Sequence, residues 1–199
     1  MINKRYALLI AISQLLTGCV AAPMAGMYAL SAATTGYFGY AIYKTYSGAT
    51  ASFQIERSDP APAALTTIRN AKRLAIYPSG GQSDGDDVDI FRASTDMGVV
   101  SSSQTIAWVA KNRVPNLDTL PSAERLAVAS RLARDNRADL AIMFIAMDPD
   151  VKVSFLASAE TRIKFATVLV GASGQMLWTE KQEVVIEAGP PHSDSIFSI

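Results

Sequence analysis

Residues 138–147 read ADLAIMFIAM, and their reading decides the fold. After Asp139 the run is apolar to Met147 without a break. A run of this length with no polar alternation suits a strand buried on both faces, at the centre of a sheet. Immediately upstream, Ser122–Asp135 is predicted to be a helix. Ser122 is placed to cap it, and Glu124 brings negative charge into the first turn. Leu126, Ala129, Leu132 and Ala133 share one face. Arg125, Arg131 and Arg134 lie elsewhere around the helix and read as a solvated surface.

Further out, Arg73–Tyr77 has strand composition and is stopped by Pro78 and the Gly80-Gly81 pair. On the other side, VKVSFLAS (151–158) and TRIKFATVLVGA (161–172) also read as strands. In the second, Ile163, Phe165, Thr167 and Leu169 point one way, while Arg162 and Lys164 begin the other face. Gly171-Ala172-Ser173-Gly174 is a hairpin turn. The chain then returns as a strand anchored by Met176, Trp178 and Val184-Val185-Ile186. Residues 95–110 are strand-like at first and helical from Gln104, and 114–122 form a loop. The expected fold is a single α/β sandwich with a mixed sheet and helices mainly on one face, preceded by an apolar N-terminal segment.

That N-terminal segment has its own grammar. Lys4 and Arg5 precede an apolar run from Tyr6 to Leu16, and Leu16-Thr17-Gly18-Cys19 follows. A positive start, an apolar stretch and small residues before a cut are the marks of a secretory signal. Leu16-Thr17-Gly18-Cys19 resembles the lipobox of bacterial lipoproteins. The resemblance implies cleavage between Gly18 and Cys19, with diacylglycerol on the thiol and an N-acyl chain on the new terminus. Cys19 is the one cysteine in the chain, so no internal disulfide and no thiolate zinc site is available. Val20, rather than Asp, follows the cysteine, which by the same resemblance directs the protein to the outer membrane with its domain facing the periplasm.

Residues 20–43 carry no charge. Two readings are open. Ala21, Ala25, Ala29 and Ala33 recur every four residues, as small residues do where helices approach closely in membranes. Tyr37, Tyr40 and Tyr43 then resemble an interfacial belt before Lys44. These seven residues are candidate membrane or oligomer contacts. In the other reading Pro23, Gly26, Gly36 and Gly39 make the segment a flexible tether lying along the domain.

The expected organisation is therefore a signal peptide (1–18), a lipidated cysteine with its apolar segment (19–46), a linker or edge strand (47–68), a periplasmic domain (69–189) and a tail (190–199). Within 47–68, Ser52–Glu56 alternates and suits an edge strand, and RSDPAPA (57–63) has linker chemistry. KRLAIYPSGG (72–81), RADLAIMF (137–144) and TVLVGASGQMLWTEKQEV (167–184) together resemble periplasmic lipoprotein domains related to the curli-secretion lipoprotein. The same layout is similar to the amino-terminal domain of the Tol-system translocation protein. The resemblance spans Lys72 to Glu187 and carries no catalytic signature.

Function classes follow from what is present. Lys+Arg and Asp+Glu balance at 18 each, so no basic excess points to nucleic acid. The one histidine, His192, lies in the tail, which leaves no Ser–His or Cys–His pair. Asp84, Asp86, Asp87 and Asp89 crowd together but lack the spacing of a calcium loop, and read as a solvated acidic loop. The expectation is a non-enzymatic, lipid-anchored outer-membrane protein with no cofactor beyond its acyl chains. Its domain would bind envelope proteins or copies of itself in assembly, secretion or export. The alternative is a glycan- or peptidoglycan-binding accessory lipoprotein that uses an exposed Trp108 or Trp178 as a stacking platform. An Asp/Glu hydrolase is a third class.

Overall fold

The computed structural model describes residues 24–45, 50–78, 86–153 and 159–188. The lipobox, Ala21, the Gly80-Gly81 pair, Asp84 and His192 lie outside them, as do the side chains of Ala25, Tyr40 and Tyr43. In chain order the elements are α1 (Ala25–Thr45), β1 (Thr50–Arg57), α2 (Pro62–Asn70), β2 (Arg73–Ile76), α3 (Asp86–Ser94), β3 (Gly98–Val99) and α4 (Ser102–Asn112). A 3-10 turn at Leu117–Thr119 precedes α5 (Ser122–Asp135), β4 (Leu140–Val153), β5 (Ala159–Gly171) and β6 (Met176–Ala188).

The strands form one six-stranded open sheet in the order β1-β6-β5-β4-β2-β3. β2 pairs in parallel with β3 and β4, while β4–β5, β5–β6 and β6–β1 are antiparallel. The sheet is mixed and the class is α/β, as the sequence indicates. β4 carries the sheet's two cores. Leu140, Ile142 and Phe144 face one side, and Ala141, Met143 and Ile145 face the other; all six are buried. The unbroken apolar run is thus two alternating faces, each covered by helices.

The helices are divided between the faces instead of gathered mainly on one. α4, the 3-10 turn and α5 cover the second face through Trp108, Leu117, Ala129, Leu132 and Ala133. α1, α2 and α3 cover the first through Met27, Leu30, Ala33, Ala64, Ile68 and Phe91. These last three helices come from the segments read as membrane helix or tether, linker, and acidic loop. In α2, Pro62 stands at the first helical position, where its missing N–H costs nothing. In α3, Asp86, Asp87 and Asp89 occupy the first turn, where the helix dipole favours negative charge. The aspartates from residue 86 onward therefore begin a helix and are not part of a loop.

Two smaller details also differ from the sequence reading. α5 has the predicted limits, but Pro121 is its N-cap and no side chain caps it. Met176 is half exposed and anchors nothing, whereas Trp178, Val184 and Ile186 on the same strand are buried. The hairpin between β5 and β6 closes through Gly171 N–H to Gln175 O (2.9 Å) and Gly174 N–H to Gly171 O (2.9 Å). Gly174 has φ of 92°, which L side chains rarely adopt.

Among the described residues no helix is long and apolar enough to cross a membrane. α1 is instead a core helix. Leu30 and Ala33 are fully buried, and Tyr37 stacks on Phe144 with centroids 5.3 Å apart. The glycines that read as helix weakeners sit where α1 meets its neighbours. A Cβ at Gly26 would touch Ile68 at 3.5 Å, and one at Gly36 would touch Ile90 at 3.6 Å. Leu30→Ala should therefore lower the stability of the purified chain by about 2–5 kcal/mol, as for other buried leucines. Ala32→Ser, on the exposed side of α1, should change it by less than about 0.5 kcal/mol. Urea unfolding checks both, and an unchanged midpoint for Leu30→Ala would separate α1 from the core.

Candidate functional site: a buried polar seam beneath the first helix

Polar side chains in a hydrophobic core cost free energy unless they are paired, so their location marks where a structure has been asked for something besides stability. In this protein they gather under α1. Along β6, residues 178, 180, 182, 184 and 186 share the first face. Trp178, Val184 and Ile186 are apolar there, but Glu180 is 0% exposed and Gln182 is 1% exposed. Across the strand pairs, Thr167 lies opposite Glu180 on one side and Arg57 lies opposite it on the other. Ser31, Thr34 and Thr35 of α1 close over them.

The seam is organised by one guanidinium. Arg57 Nε donates to Glu180 Oε2 at 2.8 Å and to Ser31 Oγ at 2.9 Å, and its Nη2 donates to the same Ser31 Oγ at 2.7 Å. The other carboxylate oxygen, Glu180 Oε1, accepts from Gln182 Nε2. Gln182 Nε2 also reaches Thr35 Oγ1 at 3.4 Å. Arg57 retains 38% exposure and lies over the ring of Tyr28 at 5.8 Å. The ion pair thus joins β1 to β6, and the two hydrogen bonds from the same guanidinium to Ser31 fasten α1 to that edge of the sheet. Thr34 and Thr35 turn their hydroxyls back to Leu30 O (2.9 Å) and Ser31 O (3.0 Å) of their own helix.

Not every polar atom in the seam is satisfied. Thr167 Oγ1, Trp178 Nε1 and Gln182 Oε1 are buried with no hydrogen-bond partner among the described residues. An orphaned buried group costs about 1–3 kcal/mol. Chemically the seam is a staple. Both oxygens of Glu180 are committed to side chains of the same chain, and no substrate reaches a group with no exposed surface.

The sequence-derived candidates separate into three sets. Ala33 is buried within its own chain and presents no side chain to lipid or to another copy, while Tyr37 is part-buried and stacks on Phe144. Ala29 is part-buried. Leu16, Thr17, Gly18, Cys19 and Ala21, with the side chains of Ala25, Tyr40 and Tyr43, lie outside the described residues. Glu180 and Gln182 were not among the candidates, because polar residues within a strand read as its solvent side. The signal that finds them is parity, since both share the even register of Trp178, Val184 and Ile186.

Neither tryptophan is a platform. Trp178 is 2% exposed, and Trp108 donates from Nε1 to Asp135 Oδ2 at 2.8 Å beneath the Arg131 guanidinium, 5.4 Å from its ring. The helix arginines lie at the surface, Arg131 and Arg134 exposed and Arg125 part-buried, and two of them also hold neighbouring carbonyls. Arg125 donates to Leu117 O at 2.8 Å and Asp118 O at 3.1 Å, and Arg134 donates to Ala172 O at 3.1 Å. Burial pushes the Tyr77 phenol above its usual pKa, which keeps it neutral. Among the described residues no group of three or more His, Cys, Asp or Glu side chains is placed to hold a metal ion.

Comparison with known proteins yields fold likenesses only. No protein-family model and no curated protein sequence matches the chain. Solved structures similar to it include the lipoprotein GNA1162 from Neisseria meningitidis, at 16% identity and TM-score 0.42, with 62% of this chain and 88% of that one covered. The LpoB C-terminal domain from Salmonella enterica matches at 14% identity and TM-score 0.35, covering 56% and 81%. A PelC dodecamer from Paraburkholderia phytofirmans matches at 11% and 0.38, covering 73% and 89%. None of these likenesses bears on what this chain does.

Two outcomes follow from the seam and its surroundings. Arg57→Ala leaves a buried carboxylate without its cation and should cost about 3 kcal/mol in urea unfolding. Glu180→Gln leaves only a partly hydrated guanidinium and should cost less; equal losses, or none, would show that the pair does not hold α1. Both tryptophans should also resist iodide quenching in the folded chain. Strong quenching of either would restore a stacking surface.

Proposed function

We propose that this chain is a lipid-anchored protein of the bacterial cell envelope, held at the outer membrane through acyl chains on Cys19. Its α/β domain works by binding envelope proteins or copies of itself, and not by catalysis. One observation carries the reading. The chain's single cysteine stands at the end of a positively charged, then apolar leader, directly after Leu16-Thr17-Gly18. A thiol there serves lipid attachment, and several acyl chains on one residue give lasting membrane binding at about 0.8 kcal/mol per buried CH₂.

The geometry supports partner binding over chemistry. The buried carboxylate of the seam is engaged on both oxygens, so it moves no proton for a substrate. The sheet is open, and its two edges differ. β3 is two residues long, whereas β1 is an eight-residue edge strand bonded on one side to β6. Ser52, Gln54, Ile55 and Glu56 on β1 are exposed. A long edge with free backbone groups accepts an added strand from a partner. The glycan reading lost its specific support when both tryptophans proved to be core.

The test is intact mass of the protein extracted from membranes, wild type beside Cys19→Ser, with native mass in mild detergent. The expected result is cleavage after Gly18, a lipid-sized gain on Cys19 in the wild type only, and an assembly heavier than one chain. An unmodified Cys19 with its leader retained would remove the anchor. A strictly monomeric species with nothing bound would remove the partner-binding role.

A further inference from the structure

α1 has an outer side that the core does not use. Tyr28 and Ala32 fall four residues apart and form an exposed stripe, with Tyr28 45% exposed; Gly36, one turn further, is exposed too but borders Ile90 of α3. The stripe is unlike any other helix surface of this domain. The one charged residue of α1 is Lys44 in its last turn, and from Ala25 to Tyr43 it has none. Every other α-helix shows at least one exposed charge: Arg69 on α2, Asp89 and Arg92 on α3, Lys111 on α4 and Glu124 on α5. A helix that faces water normally carries such charges.

We propose that this uncharged side of α1 lies flat against the membrane surface in which the Cys19 acyl chains are inserted. The proposal rests on the lipid-anchor reading above and adds an orientation to it. The length of chain outside the structure selects the occupant. Met24, where description begins, is five residues from Cys19, a span of at most about 18 Å when fully extended. The start of α1 is therefore within reach of the headgroup layer whenever the anchor is inserted. So short a tether also raises the local concentration of lipid around the stripe, and a face too small to bind membrane alone then suffices.

The chemistry of the stripe matches that layer. Tyrosine prefers the boundary between hydrocarbon and water. Tyr28 is also held in place, since its ring lies over the Arg57 guanidinium at 5.8 Å. Crossing the bilayer is not available to α1, because Leu30 and Ala33 on its other side belong to the protein core. The helix lies along the surface, and the sheet stands above it.

The single cysteine makes the test direct. In the acylated protein its thiol is blocked, so a cysteine introduced by Ala32→Cys is the one thiol open to a fluorophore. Ala127→Cys, exposed on α5 across the sheet, is the control. Both proteins, lipidated and cleaved after Gly18, are labelled and placed in vesicles of phosphatidylethanolamine and phosphatidylglycerol containing headgroup-nitroxide lipid. Intact mass confirms acylation of Cys19 in each sample. Quenching about threefold or more stronger at position 32 than at 127 is expected, because the nitroxides are confined to the interfacial layer. Equal quenching with Cys19 acylated overturns the orientation and leaves the anchor standing. A shielded, unquenched label at 32 with a doubled native mass assigns the stripe to a second copy instead. A mass without lipid on Cys19 sinks both readings together.

Discussion

Six consecutive residues, Leu140–Ile145, form a wall that two hydrophobic cores share. Their side chains alternate between the faces, so each core depends on half of the same short segment. Full burial on both sides leaves no register in which β4 can slip by one residue without placing every side chain in the wrong core. The two backbones around it are fixed accordingly. Asp139, just before β4, accepts from the N–H groups of Lys72 (2.7 Å) and Arg73 (3.0 Å) with one carboxylate oxygen, and so sets where β2 begins. Its own carbonyl takes the Ala172 N–H (3.0 Å), which positions the β5–β6 hairpin. The central wall is thus aligned with both neighbours at the same end.

The parts of the fold legible in the sequence are those where one period dominates. α5 alternates with helical spacing and is found with the predicted limits. The β4 run and the hairpin turn around Gly171–Gly174 are equally clear. The first-face helices are harder, each for its own physical reason. α1 is apolar nearly all round, and that composition is shared by a membrane span and by a helix buried on one side and uncharged on the other. α2 opens with a proline that marks a linker as readily as a helix start. The aspartates of α3 satisfy a helix dipole as well as they satisfy a loop. Local composition does not distinguish these cases; the apolar floor supplied by β4, β5 and β6 does.

The same limit applies to the seam. Nothing local marks Glu180 as buried, since TEKQE reads as solvent-facing polar strand. It becomes legible once the neighbours of β6 are known, because Arg57 and Ser31 come from 123 and 149 residues upstream of it in sequence order. A paired charge under a helix contributes little net stability compared with an apolar core of the same volume. What it contributes is a fixed place for α1, the element that joins the domain to whatever holds the amino terminus.

The strand order has a consequence for when the domain exists at all. β6 is the last of the described strands in chain order, yet it lies between β1 and β5, and among the described residues β1 has no other neighbour in the sheet. Until β6 has left the ribosome, β1 lacks its described partner strand, and α1 lacks Trp178, Glu180 and Gln182 beneath it. Contacts this distant in sequence also form slowly. A domain arranged in this way stays incomplete until its β6 has been made. On the reading proposed above, in which the chain crosses a translocation pore, late closure would keep the polypeptide in the extended state that such a pore accepts.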